Sequence, residues 1–186
     1  MWHGLLRDSR FFETLLRFDE DLAEQVRAAG CRRCGGVLHR AHYPRKPRGG
    51  PAELEPPQER RLSFCCAREG CRRRTTPPSL RFLGRRVYFG AVVVLLSALV
   101  HGLSPRRVTR LREQVGVDRR TLGRWRRWWQ QGFVRSAFWR TARGRFVPAV
   151  ELHELPASLL ERFVGADAGE RVRAALAFLA PLSASS

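Results

Sequence analysis

The chain has five cysteines, and four of them fall into two short pairs, Cys31-x2-Cys34 and Cys66-x4-Cys71, about thirty residues apart. Tetrahedral zinc takes four soft ligands, and a short Cys-x2–4-Cys turn lets two thiolates face one ion. Gly35 and Gly36 after the first pair and Gly70 inside the second supply the tight turns such knuckles need. The expected centre is Cys31, Cys34, Cys66 and Cys71 around a structural Zn2+, because four protein ligands leave no position open to water or substrate. Cys65 competes with Cys66 for the third place. Strand neighbours point to opposite faces, so only one of them reaches the metal. The tighter Cys66-x4-Cys71 turn favours Cys66 and leaves Cys65 as a small core residue. His39 and His42 are competitors for the fourth position. Paired cysteines without a secretory leader read as metal ligands in a reducing compartment, not as a disulfide framework.

The elements that must hold these residues read as mainly α with a small β zinc ribbon, followed by a helical helix-turn-helix module. Phe12, Leu15, Leu16, Leu22 and Val26 recur at near-helical spacing over 9–29, and Gly30 offers a stop. The prolines and glycines of 43–58 forbid regular structure and read as an exposed insert. A short strand is expected over 60–65 and a return strand ending at Thr75-Thr76-Pro77-Pro78. Helices are expected at about 87–101, 105–115, 119–131, 156–164 and 168–179. Four units follow: an N-terminal helix (1–30), the zinc ribbon with its insert (31–84), the helix-turn-helix (85–145) and C-terminal helices (146–186).

The second feature with chemistry is a run of arginines on a helix-turn-helix register. With Gly116 as the turn glycine, Val108, Leu111 and Val115 face inward on the first helix, and Leu122, Trp125 and Trp129 do so on the second. Val117 is the apolar residue just after the turn. Ser104-Pro105 marks the first start and Asp118 can cap the second. Arg112 departs from the pattern, since a small residue normally follows the inward Leu111. Arg119, Arg120, Gly123, Arg124 and Arg127 occupy the outer face of the second helix. Guanidiniums there can reach guanine edges or phosphates in a major groove. Arg106, Arg107 and Arg110 on the preceding helix suit the phosphate backbone. The tryptophans read as core.

Charge supports a polyanionic partner. Lys and Arg number 35 against 17 acidic residues, a formal +18. Arginine-rich codon usage can explain why only one base is lysine, Lys46, but not the two-to-one excess of bases. The most apolar stretch, 89–100, falls short of the roughly twenty residues of a membrane span, so it reads as a buried core helix. With no visible targeting segment, a cytoplasmic, nucleoid-associated protein is expected, without a membrane partner.

Cys31-x2-Cys34, a basic strand, Cys66 and Cys71, the run Arg72-Arg73-Arg74-Thr75-Thr76-Pro77-Pro78-Ser79-Leu80-Arg81-Phe82-Leu83, and then a helix-turn-helix form a familiar order. Over roughly 31–130 this resembles the N-terminal half of bacterial insertion-sequence transposases that carry a zinc ribbon. It also resembles short transposase-like proteins of mobile elements that lack the catalytic domain. The resemblance implies binding to element ends or a related DNA site. Such transposases cut DNA with three carboxylates holding two metal ions on a ribonuclease-H-like fold. About fifty-five residues follow the helix-turn-helix here, and Glu151, Glu154, Glu161, Asp167 and Glu170 are scattered along them with no strand pattern to gather them. The expected function is therefore non-catalytic DNA binding, accessory or regulatory, with a homodimer or a transposase as further partner. The alternatives are an RNA-binding zinc ribbon, and a protein-interaction module using the C-terminal apolar helices (Leu155, Leu159, Leu160, Phe163, Leu176, Leu179) as a packed core or a dimer seam.

Overall fold

Helix α1 (Ser9–Ala29) begins where the Asp8 carboxylate accepts the Arg10 amide and ends at Gly30, whose φ of 74° closes the last turn. The computed structural model describes residues 2–52, 56–84, 86–99 and 105–184. Its elements are mainly helical, with a small antiparallel sheet of three strands. Among the described residues no helix is long and apolar enough to cross a membrane.

The sheet comprises β1 (Leu38–Arg40), β4 (Phe64–Cys66) and β5 (Arg74–Thr75), in the order β1-β4-β5. Leu38 pairs with Cys66, and Phe64 pairs with both Arg40 and Thr75. One face buries Leu38, Phe64 and Cys66 with Leu62, and α1 covers it with Ala23 and Val26. The other end of α1 places Phe11, Phe12 and Leu15 in the larger helical core. A helix of 21 residues is about 30 Å long, so α1 reaches both apolar clusters.

The inner stripe of α1 departs from the expected one. Phe12 and Leu15 are buried, but Leu16, Leu22 and Val26 are only half-buried, and the stripe continues through Asp19 and Ala23. The cause is a buried polar knot. Asp19 accepts bonds from the Ser79 hydroxyl, the Leu80 amide at 2.6 Å and Arg81 Nε at 2.8 Å. The remaining guanidinium nitrogens of Arg81 donate to the carbonyls of Gln58 and Arg60 at 2.6 and 2.9 Å.

The proline- and glycine-rich segment is likewise not a free insert. It contains β2 (Tyr43–Pro44), which pairs with β3 (Arg60–Arg61), and a single helical turn, α2 (Pro56–Glu59), where Gln58 is buried. Between them the Arg48 amide donates to Val87 and its carbonyl accepts from Phe89. The Arg45 guanidinium donates to the carbonyls of Gly84 and Arg86. These bonds satisfy backbone that prolines leave without partners, so the segment docks on the helical core. The stretch after β5 also joins that core, through Leu80, Phe82 and Leu83.

Helix α3 (Gly90–Leu99) is the hub, buried from Gly90 to Ala98. Helices α4 (Pro105–Gln114) and α5 (Arg119–Arg127) pack against it. The expected cap Ser104 and the side chains of Arg107, Leu111 and Arg112 lie outside the described residues. A wider π-type turn over Trp128–Phe133 extends α5, where an α-helix was expected through 131. It buries Trp129 and Phe133, and a Cβ at Gly132 would stand 2.7 Å from the Trp128 ring. Helices α6 (Ala137–Ala142), α7 (Ala157–Leu160) and α8 (Ala168–Leu179) complete the core. Leu155, Leu159, Leu160, Leu176 and Leu179 are buried within the chain and Phe163 packs against them, so these residues are core and not a free seam.

Candidate metal centre and basic helix face

The first cysteine pair sits on a turn fixed by its own backbone. The Cys31 amide donates to Gly36, while the amides of Cys34 and Gly35 return to the Cys31 carbonyl. Gly36 is required because a Cβ there would lie 3.1 Å from Cys66 Sγ and 3.4 Å from Cys34 Sγ. The second pair follows β4, where the Cys66 amide bonds to Arg73 and the Cys71 amide to Arg68. Antiparallel pairing of β1 with β4 brings the two turns together.

The result is a cluster of Cys31, Cys34, Cys66 and Cys71 with all four sulfurs within 4.8 Å of one another. Cys31 and Cys71 sulfurs are 3.8 Å apart, and those of Cys34 and Cys66 are 3.5 Å apart. A tetrahedron with metal–sulfur arms of about 2.3 Å has edges of roughly 3.8 Å, so these residues fit a structural metal ion. None of the cysteines is in a disulfide. Strand alternation decides between the neighbours. Cys66 is buried in the cluster, while Cys65 is half-buried on the opposite side with its thiol donating to the Arg72 carbonyl. His42 is held elsewhere, its Nδ1 accepting the Ser63 amide at 3.1 Å, and His39 is an exposed residue opposite Cys65 on β1.

Without a cation, Cys31 and Cys66 shift in opposite directions. Backbone donation from Arg33 outweighs burial, and with the neighbouring thiols and Cys34 amide it brings Cys31 down to about 7. Cys66 keeps a bond from the Arg68 backbone that favours the thiolate, yet burial and its three thiol neighbours push it up to about 12. A bound cation reverses that repulsion, so loading must expel protons. Metal addition at pH 7 should release at least about one and a half protons from Cys31 and Cys66 together, read in weakly buffered dye solution. The bound form is the deprotonated one, so affinity must fall as pH falls. Metal uptake with no proton release would contradict this centre. Arg32, Arg33, Arg68, Arg72 and Arg73, next to the cysteines in the chain, are all exposed, and their charge would offset that of a tetrathiolate.

The second surface is α5. Gly116, at φ 64°, turns the chain after α4, and its carbonyl accepts the Tyr88 hydroxyl at 3.1 Å. Tyr88 also meets Trp125 edge-on at 5.0 Å, which ties the turn to the core. Asp118 caps α5, accepting both the amide and the hydroxyl of Thr121 at 2.7 Å. Those Thr121 bonds hold its carboxyl below the usual carboxylate range. Val117, Leu122, Trp125 and Trp129 are buried, while Val108 and Val115 are partly so.

Opposite this inner stripe, Arg119, Arg120, Gly123, Arg124 and Arg127 are all exposed. Arg124 donates to Thr121 Oγ1 at 2.7 Å, which steadies its guanidinium on the first turn. Among the described residues Arg119, Arg120 and Arg127 make no ion pair. Arg106 and Arg110 are exposed on α4. The sequence did not reveal Arg86, whose guanidinium lies 3.8 Å above the Trp128 ring and is brought down to about 10 by burial.

Four of the five C-terminal acids have local neighbours. Asp167 accepts the Glu170 amide, Glu170 accepts the Ala166 amide, and Glu151 and Glu154 flank exposed His153. The four cysteines form the one group of three or more close metal-ligating side chains among the described residues. Compared with known protein families, curated proteins and solved structures, the chain matches none.

Proposed function

We propose that this chain is a non-catalytic DNA-binding protein, in which a zinc ribbon accompanies a helix-turn-helix that reads duplex DNA. The observation that carries the reading is the outer face of α5, where exposed arginines stand back to back with Leu122, Trp125 and Trp129. A helix anchored on one side and cationic on the other has the form of a major-groove reader. The glycine turn at 116 and the Asp118 cap support the helix-turn-helix register. Arg119, Arg120, Arg124 and Arg127 are the base-edge and phosphate contacts of this reading. Arg106, Arg107 and Arg110 contact phosphates.

Four thiolates form a donor set suited to Zn2+, since hard cations such as Mg2+ and Ca2+ take oxygen ligands. The order of ribbon, basic segment and helix-turn-helix supports kinship with insertion-sequence transposases. In this reading the chain is an accessory or regulatory protein, and a partner supplies any strand cutting.

The test is duplex affinity across a salt series for the zinc-loaded chain and for a variant with Arg119, Arg120 and Arg124 changed to Ala. Each phosphate neutralised contributes about 0.9 to the slope of log affinity against log salt. The variant should bind roughly a hundredfold more weakly and lose about two to three from that slope. An unchanged slope would overturn the reading, and equal affinity for structured RNA in both proteins would favour an RNA partner.

A further inference from the structure

We propose that Gly123 is the point at which the α5 backbone comes closest to the duplex, and that the absence of a side chain there sets how deeply the helix enters the groove. This rests on the duplex-binding reading above and adds a positioning residue to it.

Glycine is the poorest helix former after proline, and Gly123 stands in the middle of α5. The fold gives it no reason to be glycine. Its φ is not among the positive values that Gly116 and Gly30 adopt. A Cβ built there would meet nothing within 4 Å, in contrast to Gly36 against the cysteines and Gly132 against Trp128. The position is exposed, with Arg120 and Arg119 one turn before it, Arg124 beside it and Arg127 one turn after. At 100° per residue it lies on the arginine side of the helix, away from Trp125 and Trp129.

The dimensions give a bare position there a purpose. An α-helix with side chains is about 10–12 Å across, and the major groove is about 12 Å wide. A side chain at the centre of the leading face would hold the helix off the base edges. Its absence lets the stems of Arg120 and Arg127 settle on either side and carry their guanidiniums inward.

The experiment compares Gly123→Ala and Gly123→Leu with the wild-type chain, using duplex fragments that the zinc-loaded wild type recovers from a random pool. Both substitutes are strong helix formers and change no charge. Thermal unfolding should move upward by about 2–4 °C in each. Affinity should fall with side-chain size, roughly fivefold for Ala and fiftyfold for Leu. The salt slope should stay as in the wild type, because no phosphate contact is removed. That combination separates Gly123 from the arginines, whose loss lowers the slope. Undiminished affinity in both stabilised variants would overturn the proposal while leaving duplex binding intact. A lower melting temperature in Gly123→Ala would also overturn it, by showing that the fold needs the glycine. If the wild type recovers no fragments, the duplex reading fails first and this inference falls with it.

Discussion

Removing the metal from the four-cysteine cluster is expected to unfold the sheet and leave the helical core standing. The sheet has strands of only two or three residues. Its apolar cluster is Ala23, Leu38, Leu62 and Phe64 together with Cys31 and Cys66, so two of its six buried members are themselves candidate ligands. Such a cluster is too small to hold a fold alone. Structural zinc sites supply an apparent 10–16 kcal/mol or so at pH 7, comparable to the roughly 5–15 kcal/mol that stabilises a whole domain. Hydrogen exchange should therefore show protection lost across β1, β4, β5 and the two cysteine turns on chelation, with α3 and α8 still protected. Cys66→Ser should reproduce the loss even with zinc in excess. Cys65→Ser should not, because its thiol lies outside the cluster and meets only the backbone carbonyls of Cys66 and Arg72. Full protection in the metal-free chain would show that the cysteines pack without an ion.

Asp19→Ala should be the most damaging substitution away from the cysteines, costing about 3–5 kcal/mol. Asp19 is 1% exposed and Arg81 is fully buried, so the change strands a guanidinium in the interior. It also frees the Ser79 hydroxyl and the Leu80 amide, which hold α1 to the segment leading into α3. A loss of that size is a large part of total stability. Urea unfolding should show a midpoint collapse for Asp19→Ala and Arg81→Met alone, with the double variant recovering part of it. Additive losses would mean that the two groups do not act as a pair.

The parts of this molecule that were legible in the sequence are those specified by local chemistry. Two short cysteine pairs, each with its turn glycines, announced the four-cysteine cluster, and the tighter Cys66-x4-Cys71 turn favoured Cys66 over Cys65. Gly116 and Asp118 marked the turn and the cap of α5, and the alternation of Trp and Leu with Arg gave its two faces. The missed features depend on partners distant in the chain. Asp19 lies 62 residues from Arg81, and within the acidic run Asp19-Glu20-Asp21 it reads as solvent-facing. Arg61 is 1% exposed yet donates to the carbonyls of Pro77 and Ser183, the latter 122 residues away. Nothing in the spacing of an arginine-rich chain distinguishes such an arginine from an exposed one. The 43–58 segment misled for a related reason. Prolines and glycines signal broken local structure truthfully, but they do not show that Arg48 bonds to Val87 and Phe89.

The most direct measurement is selection of bound fragments from a random duplex DNA pool by the zinc-loaded chain, at about physiological salt with a polyanion competitor. A sequence motif should emerge with the wild type and disappear when Arg119, Arg120 and Arg124 are changed to Ala. No enriched motif, or one that survives the loss of those arginines, would contradict a duplex reader on α5.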